Sequence, residues 1–433
     1  MQPKEISEHQ NLAFSKLFEE KPHIPQLSSI YFKGSDRACL KISMEKGEIY
    51  LSSSYFIGLD WLDQKQEFSL MVSSKINRTE ENEVGRQVKI LYMLQEALAY
   101  PEVYDYLPSL MHIQFDKKPI RIDATMDVLT PMLIAQFLHV VKQIVKRGLK
   151  NSYYHVESNL NSRIKGKILQ AQNLKQNLLK NRPLHTVCRY SVFEQNGIEN
   201  RLIKKALVFV NKYLSGKGFI ETKDKEALKT TLNFIRPAFE SVSSTVQIHE
   251  IKNIKLNPFY KDYKIAIELA ILILKRYAFN IEEVKEEKKV NCPPFWIDMS
   301  LLFEFYVYSL LKKCPIGSKI SPKERTYGNE LDYLLKDGEN SMVIDAKYKQ
   351  KYLDSKDHLD IRQVVGYSRL TSIRKRADFN KSTQMMDCLI IYPNQETGKD
   401  NLERVNREKF TNDKIDKYEK IYKLGVKLPV QLN

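Results

Sequence analysis

The sequence predicts a mixed α/β chain, α+β overall, in three consecutive parts: a β-rich unit over 1–115, a mostly helical middle over 116–285 and an α/β unit over 286–433. Three observations carry this. Over 30–76 apolar and polar residues alternate in short runs, broken by turn residues at Gly34-Ser35 and Lys46-Gly47, which is a strand pattern. Beyond it, apolar residues recur at three- and four-residue spacing, the helical period. The last third runs helix, hairpin, helix, strand, which is an α/β order.

In chain order, helices are expected over 85–100, 132–150, 165–179, 201–214 and 262–277, each with one apolar stripe. The charged stretch EEVKEEKK at 282–289, followed by Asn291-Cys292-Pro293-Pro294, reads as a solvated connection into a new unit. That unit opens with an amphipathic helix over 297–313. Two strands then flank a Lys336-Asp337-Gly338 turn, a helix covers 359–369, and an apolar strand covers 388–392.

Composition bounds the function classes. A chain of 433 residues with 42% hydrophobic and 28% charged residues has the balance of a globular protein of two or three domains. The longest apolar stretch, 265–274, is interrupted by Glu268, so no membrane span is expected. The opening MQPKEISEHQ lacks a signal-peptide core, and the expected location is the cytoplasm. Five cysteines (Cys39, Cys188, Cys292, Cys314, Cys388) lie far apart without a CxxC pair, which excludes a disulfide framework and a zinc ribbon. The eight histidines form no HExxH motif. Lys and Arg outnumber Asp and Glu by 69 to 53, giving +16 and a long-range attraction for polyanions. Nucleic acid is the natural partner, although solvated lysine-rich faces produce the same excess, so a site has to decide.

The deciding residues lie on the hairpin. Asp332 sits in ELDYLL and Asp345 in MVIDAKYK, thirteen positions apart across a tight turn, so both carboxylates can meet at one strand edge. Side chains alternate along a strand, which puts Asp345 and Lys347 on the same face. The apolar run Met342-Val343-Ile344 holds them rigidly. Two carboxylates and a lysine suit metal-assisted phosphodiester hydrolysis: hard oxygen ligands hold Mg²⁺, and the lysine orients water or neutralises charge growing on phosphorus. Glu304, an acid within SLLFEFYVYSLL, is a candidate third carboxylate. Asp360, Gln363 and Tyr367 are spaced three and four apart, on one side of their helix, and can line the same cleft. Taken singly each residue has a plainer reading: a surface D-x-K pair, a Glu paired with a lysine, an Asp at a helix start. Their order within one short segment favours the joint reading. Basic stretches at 140–152 and 368–381 are candidate DNA contacts. A solvated helix face accounts better for the first, whereas the second places Arg369, Arg374, Lys375 and Arg376 just after the site helix, where they would hold DNA backbone.

LFEFYVYSLL, ELDYLL followed by VIDAKYK, and DIRQVVGYS together resemble the PD-(D/E)XK nuclease core, and within it the McrC family, the nuclease subunit of McrBC-type restriction systems acting on 5-methylcytosine DNA. SRIKGKI at 162–168, CRYSVFEQNGIENRLIKKAL at 188–207 and NPFYKDYKIAIELAILIL at 257–274 are similar to the family's central region. The resemblance implies a restriction-endonuclease-like domain over 286–433 in which Asp332 and Asp345 bind Mg²⁺, Lys347 assists the attacking water, and Glu304 and Gln363 support the site. One departure shifts weight: the family usually has Pro before its first Asp, where this chain has Leu331, and Glu330 on the same strand face competes for the ligand role. The resemblance further implies a McrB-like AAA+ GTPase partner, double-stranded methylated DNA as substrate, and insertion or capping of the partner's ring by the N-terminal part, here 33–75. An ordinary structural domain accounts for that segment equally well. The chain has no G-x-x-x-x-G-K-[ST] run, so GTP belongs to the partner. Double-strand cleavage needs two sites, which implies dimerisation of complexes. The competing readings are a non-catalytic adaptor or activator of an AAA+ NTPase, and a stand-alone repair nuclease.

Overall fold

Short alternating runs set the first part of the chain into β1 (Lys4–Ser7), β2 (Asn11–Ala13), β3 (Ile30–Tyr31), β4 (Ala38–Glu45), β5 (Glu48–Ser53), β6 (Phe56–Trp61) and β7 (Ser69–Ser73). The structure is a computed structural model describing residues 2–18, 28–33, 36–45, 47–74, 88–216, 222–246, 260–278, 289–349, 358–379 and 384–430. Gly34, Ser35 and Lys46 of the expected turns, and 282–288 of the expected connection, lie outside the described residues. The chain divides into two compact units, 1–136 together with 279–433, and 137–278.

In the first unit α1 (Ile90–Ala97), β8 (Met111–Ile113), β9 (Ile120–Asp123) and α2 (Leu129–Arg147), which runs on into the second unit, follow the early strands. Strands β2, β5, β4 and β3 form one sheet, whose Leu40 and Leu51 pack with Ile6, Phe56 and Trp296 in a common core. Trp296 belongs to the last third of the chain. It lies on β14 (Phe295–Asp298), which follows β13 (Lys289–Cys292) and inserts into the sheet β1-β7-β6-β14-β8. Its indole Nε1 donates to Asp60 Oδ2 at 3.0 Å, and the same buried carboxylate takes Gln114 Nε2 at 3.0 Å and Lys117 Nζ at 2.8 Å. β13 pairs with β9 in the same way. Three consecutive parts divided after 115 and 285 therefore give way to an N-terminal region joined to the C-terminal region by shared sheets. Ladder pairing over more than 200 residues leaves no mark in local periodicity.

The second unit holds β10 (Ser152–Asn161), β11 (Lys167–Ile168), α3 (Gln170–Gln176), β12 (His185–Glu194), α4 (Ile198–Ser215), α5 (Thr222–Ile235) and α6 (Lys261–Ala278). Helices dominate, as expected, but β10 and β12 pair over ten residues, Ser152↔Glu194 to Asn161↔His185. The helix expected over 165–179 shortens to α3. Both strands are half-exposed along most of their length, and without a buried face their pattern lacks the apolar alternation that marks a strand.

After β14 come α7 (Met299–Lys312), β15 (Ile320–Thr326), β16 (Asn329–Leu335), β17 (Met342–Ala346), α8 (His358–Arg369), α9 (Thr371–Arg376), β18 (Asp387–Pro393), α10 (Arg407–Phe410) and β19 (Ile421–Val426). The sheet order is β15-β16-β17-β18-β19; the first three strands are antiparallel and the last three parallel. Helices α8 and α9 supply the crossover that a parallel β17/β18 pair requires. Val343 on β17, Ile361 and Val364 on α8 and Ile390 on β18 are fully buried together, each burial contributing about 1.5–3 kcal/mol. The fold class is the expected mixed α/β, α+β overall. Among the described residues no helix is long and apolar enough to cross a membrane.

Candidate active site

The β16/β17 ladder pairs Leu335↔Met342, Leu334↔Val343 and Tyr333↔Ile344, and ends one step short of Asp332 and Asp345. Where pairing stops, side chains take over. Asp332 Oδ2 accepts the Ala346 backbone N–H at 2.9 Å, and the Lys347 N–H donates to the Ile391 carbonyl at 2.8 Å, so the strand end is held from both sides. Asp345 is 2% exposed. Its Oδ2 lies 2.9 Å from Lys347 Nζ, a buried ion pair. Lys347 Nζ donates to Gln363 Oε1 at 2.9 Å, and Gln363 Nε2 donates to the Tyr367 hydroxyl at 2.8 Å. Five of the residues singled out in the sequence thus form one connected group: Asp332, Asp345, Lys347, Gln363 and Tyr367. Asp360, on the same helix, turns instead to Lys349, whose Nζ donates to it at 2.6 Å.

Burial and like charge dominate the electrostatics. Burial, then the Asp332 charge, push the Asp345 carboxyl above the usual range against the pull of Lys347. Burial, then Asp332, likewise raise Glu304, with Lys323 opposing. Burial works against the Lys347 ammonium, but Asp345, Asp332 and Asp360 outweigh it and hold it above the ordinary lysine value. Acids crowded this closely in a dry site resist ionising together, and a divalent cation relieves them. The donors present fit Mg²⁺: two hard carboxylates, their mutual repulsion unrelieved except by lysines, for an ion that keeps several waters. Among the described residues no group of three or more His, Cys, Asp or Glu side chains is disposed to cage a metal. Glu304 accordingly joins the cluster through Lys323, whose Nζ donates to its Oε2.

Lys323 is the site residue that sequence reasoning missed. It lies on β15 between the pairs Pro322↔Tyr333 and Glu324↔Leu331, in the gap facing Asp332. Its φ of 53° is left-handed, a conformation that costs a non-glycine residue about 1–3 kcal/mol. No pattern in SPKERT marks it, because strand alternation breaks at that residue. Glu330, the competitor of Asp332, sits at the rim, where Arg325 Nε donates to it and Lys323 Nζ lies at 3.5 Å. Asp332, not Glu330, is the acid fixed to β17. Of the basic residues at and beyond the end of the site helix, Arg369, Lys375 and Arg376 are exposed. Arg374 donates to the Gln384 carbonyl at 3.2 Å and covers the Phe379 ring at 4.6 Å, while Arg376 donates to Glu324 at 2.8 Å.

The sequence model of a family described as McrBC 5-methylcytosine restriction system component matches residues 56–393, most of the chain. No curated protein sequence matches it significantly. Among solved structures, a refined half-complex of Thermococcus gammatolerans McrB AAA+ hexamers with bound McrC aligns at 14% identity over 98% of this chain and 94% of that one, with a TM-score of 0.39. The cryo-EM structure of the Thermococcus gammatolerans McrBC complex aligns at 13% identity over 71% of this chain and 87% of that one, with a TM-score of 0.30. With the family model covering the second half of the N-terminal sheets, the middle unit and the site, this chain belongs to the McrBC 5-methylcytosine restriction system component family.

Proposed function

We propose that this chain is the Mg²⁺-dependent DNA endonuclease subunit of a modification-dependent restriction system and works with a McrB-like AAA+ GTPase. The observation that carries the reading is Asp345, a fully buried carboxylate whose charge is met by Lys347 at 2.9 Å, beside Asp332 at a strand end. Asp332 and Asp345 would hold the ion. Mg²⁺, when bound, supplies Lewis-acid polarisation of the phosphate and lowers the pKa of water. Lys347, aimed by Gln363, places an ammonium where water attacks and where negative charge builds on the phosphorus. Arg369 and Lys375 offer exposed cations for the DNA backbone.

An adaptor that only activates the AAA+ partner is the rival reading. Such a protein has no use for buried acids held in mutual repulsion, since apolar replacements at such positions are often neutral or stabilising. GTP is assigned to the partner, methylated double-stranded DNA to the complex, and dimerisation of complexes to double-strand cutting. Residues 33–75, of which Gly34, Ser35, Lys46 and Lys75 lie outside the described residues, are proposed to dock on the partner. The exposed Ile164, Leu178, Leu179 and Leu184 between β10 and β12 offer an alternative surface.

The test is cleavage of methylated and unmethylated plasmid with Mg²⁺, by this chain alone and with the AAA+ partner plus nucleotide. Cutting that requires partner, nucleotide and methylation is the expected result. Stimulation of the partner's NTPase with no cutting under any condition would replace this reading by the adaptor.

A further inference from the structure

Lys323 has no part in the chemistry proposed above, yet its side chain is only 10% exposed and aimed at three carboxylates. It donates to Glu304 Oε2 and lies 3.5 Å from Glu330 Oε1 and 3.7 Å from Asp332 Oδ1. The left-handed backbone at this residue takes its side chain out of the β15 alternation and into the carboxylate cluster. A strained conformation kept at such a place points to use rather than accident. Beside it opens a cavity of about 540 Å³, lined by Lys323 itself, Glu304, Glu330, Tyr106 and Arg325. The ammonium is 6.0 Å from the centre of the Tyr106 ring, which gives it a second seat toward that cavity. The cavity leaves open space beside the ammonium.

We propose that Lys323, anchored on Glu304, is a resident counter-ion that competes with the divalent cation for Asp332, so that metal binding requires its ammonium to withdraw toward the cavity, and a DNA phosphate at the site favours that withdrawal. This rests on the nuclease reading, because it takes Asp332 and Asp345 as the metal ligands. A fixed positive charge 3.7 Å from a ligand oxygen repels an incoming dication strongly in a poorly solvated site. The DNA-free chain therefore binds metal weakly, and DNA and metal bind cooperatively through one side chain. An unloaded subunit is thereby kept from holding a competent metal site.

Mn²⁺, an octahedral oxygen-loving stand-in for Mg²⁺, reports this directly through the electron paramagnetic resonance signal of the free ion. The full chain is titrated without DNA as wild type, Lys323→Met, Lys323→Gln and Lys323→Arg, with Asp345→Ala defining the background. The Asp345-dependent site is expected to tighten roughly tenfold or more in Lys323→Met and Lys323→Gln and to stay weak in Lys323→Arg. Lys323→Gln keeps a hydrogen-bond donor for Glu304, so it carries the comparison if Lys323→Met unfolds. In the wild type, a non-hydrolysable phosphorothioate duplex is expected to tighten Mn²⁺ binding by a similar factor. Neutral variants that bind no tighter than wild type, or a duplex that leaves wild-type affinity unchanged, overturn the inference while the metal site stands. Absence of any Asp345-dependent Mn²⁺ site, with or without DNA, overturns the nuclease reading itself and this inference with it.

Discussion

Asp332 Oδ2 accepts the backbone N–H of Ala346 at 2.9 Å, which ties the first acid of the site to the strand carrying Asp345 and Lys347. The contact acts at the step where the β16/β17 ladder has ended, so it sets the spacing of the two acids in place of a ladder hydrogen bond. Asp332→Asn keeps an oxygen for that N–H but removes the charge, whereas Asp332→Ala removes both. Both variants should lose Mg²⁺-dependent cleavage. Only Asp332→Ala should also lose about 1–3 kcal/mol of stability, the usual penalty for a buried donor left unpaired. Denaturant melts of the two variants make the comparison; equal losses would mean that the contact does not position the strand.

Gln363 touches Lys347 but no carboxylate of the pair, and Tyr367 holds it in turn. In the nuclease reading its role is positioning. Gln363→Ala should lower the single-turnover cleavage rate roughly 10- to 100-fold, the range seen when a group that orients a metal-site residue is removed. DNA affinity should remain, and Gln363→Glu should move the pH profile because it brings another carboxylate to Lys347. Loss of DNA binding in Gln363→Ala would instead assign the residue to the DNA surface.

The raised Asp345 carboxyl makes metal-free stability depend on pH. The folded chain holds this proton more tightly than the unfolded chain, so stability falls as pH rises above the ordinary carboxylate value, near 4. Asp345→Asn removes that dependence. In metal-free buffer the variant should gain on the wild type with rising pH and exceed it at neutrality by an amount on the order of a few kcal/mol, at about 1.4 kcal/mol per pKa unit. With duplex DNA present, Mg²⁺ should raise the wild-type melting temperature and leave the variant's nearly unchanged. A wild-type minus variant difference that stays flat from pH 4 to 8 would show that Asp345 is ionised without penalty.

Arg369 and Lys375 are exposed, while Arg374 and Arg376 are engaged with Gln384, Phe379 and Glu324. Arg369→Ala and Lys375→Ala should each weaken DNA binding across all sequences and reduce the salt dependence of binding by about one counterion. Arg374→Ala should chiefly destabilise the α9 region. Fluorescence anisotropy across a salt series measures the slopes; unchanged slopes for Arg369→Ala and Lys375→Ala would place the DNA elsewhere.

The site hairpin was legible in the sequence because its information is local. The apolar run before Asp345, the two-residue alternation to Lys347 and the Lys336-Asp337-Gly338 turn lie within one short stretch, and the structure joins them as β16, turn and β17. The three- and four-residue spacing of Asp360, Gln363 and Tyr367 located α8, although Asp360 turned out to pair with Lys349. Long-range relations were not legible. Nothing near Trp296 says that it packs beside Asp60, and nothing in SPKERT says that Lys323 leaves strand geometry to meet Glu304. The strands β10 and β12 escaped notice for want of a buried face.

In the nuclease reading, phosphodiester cleavage depends on the Asp345 carboxylate. The most direct test is the single-turnover rate of plasmid cutting by the assembled complex with Mg²⁺, wild type against Asp345→Ala, with the partner's NTPase stimulation measured in the same samples. Cutting should fall at least about 10³-fold, a loss on the order of 4 kcal/mol of transition-state stabilisation, with NTPase stimulation equal in both. Cutting by Asp345→Ala at the wild-type rate would contradict that reading and place the active site on another chain.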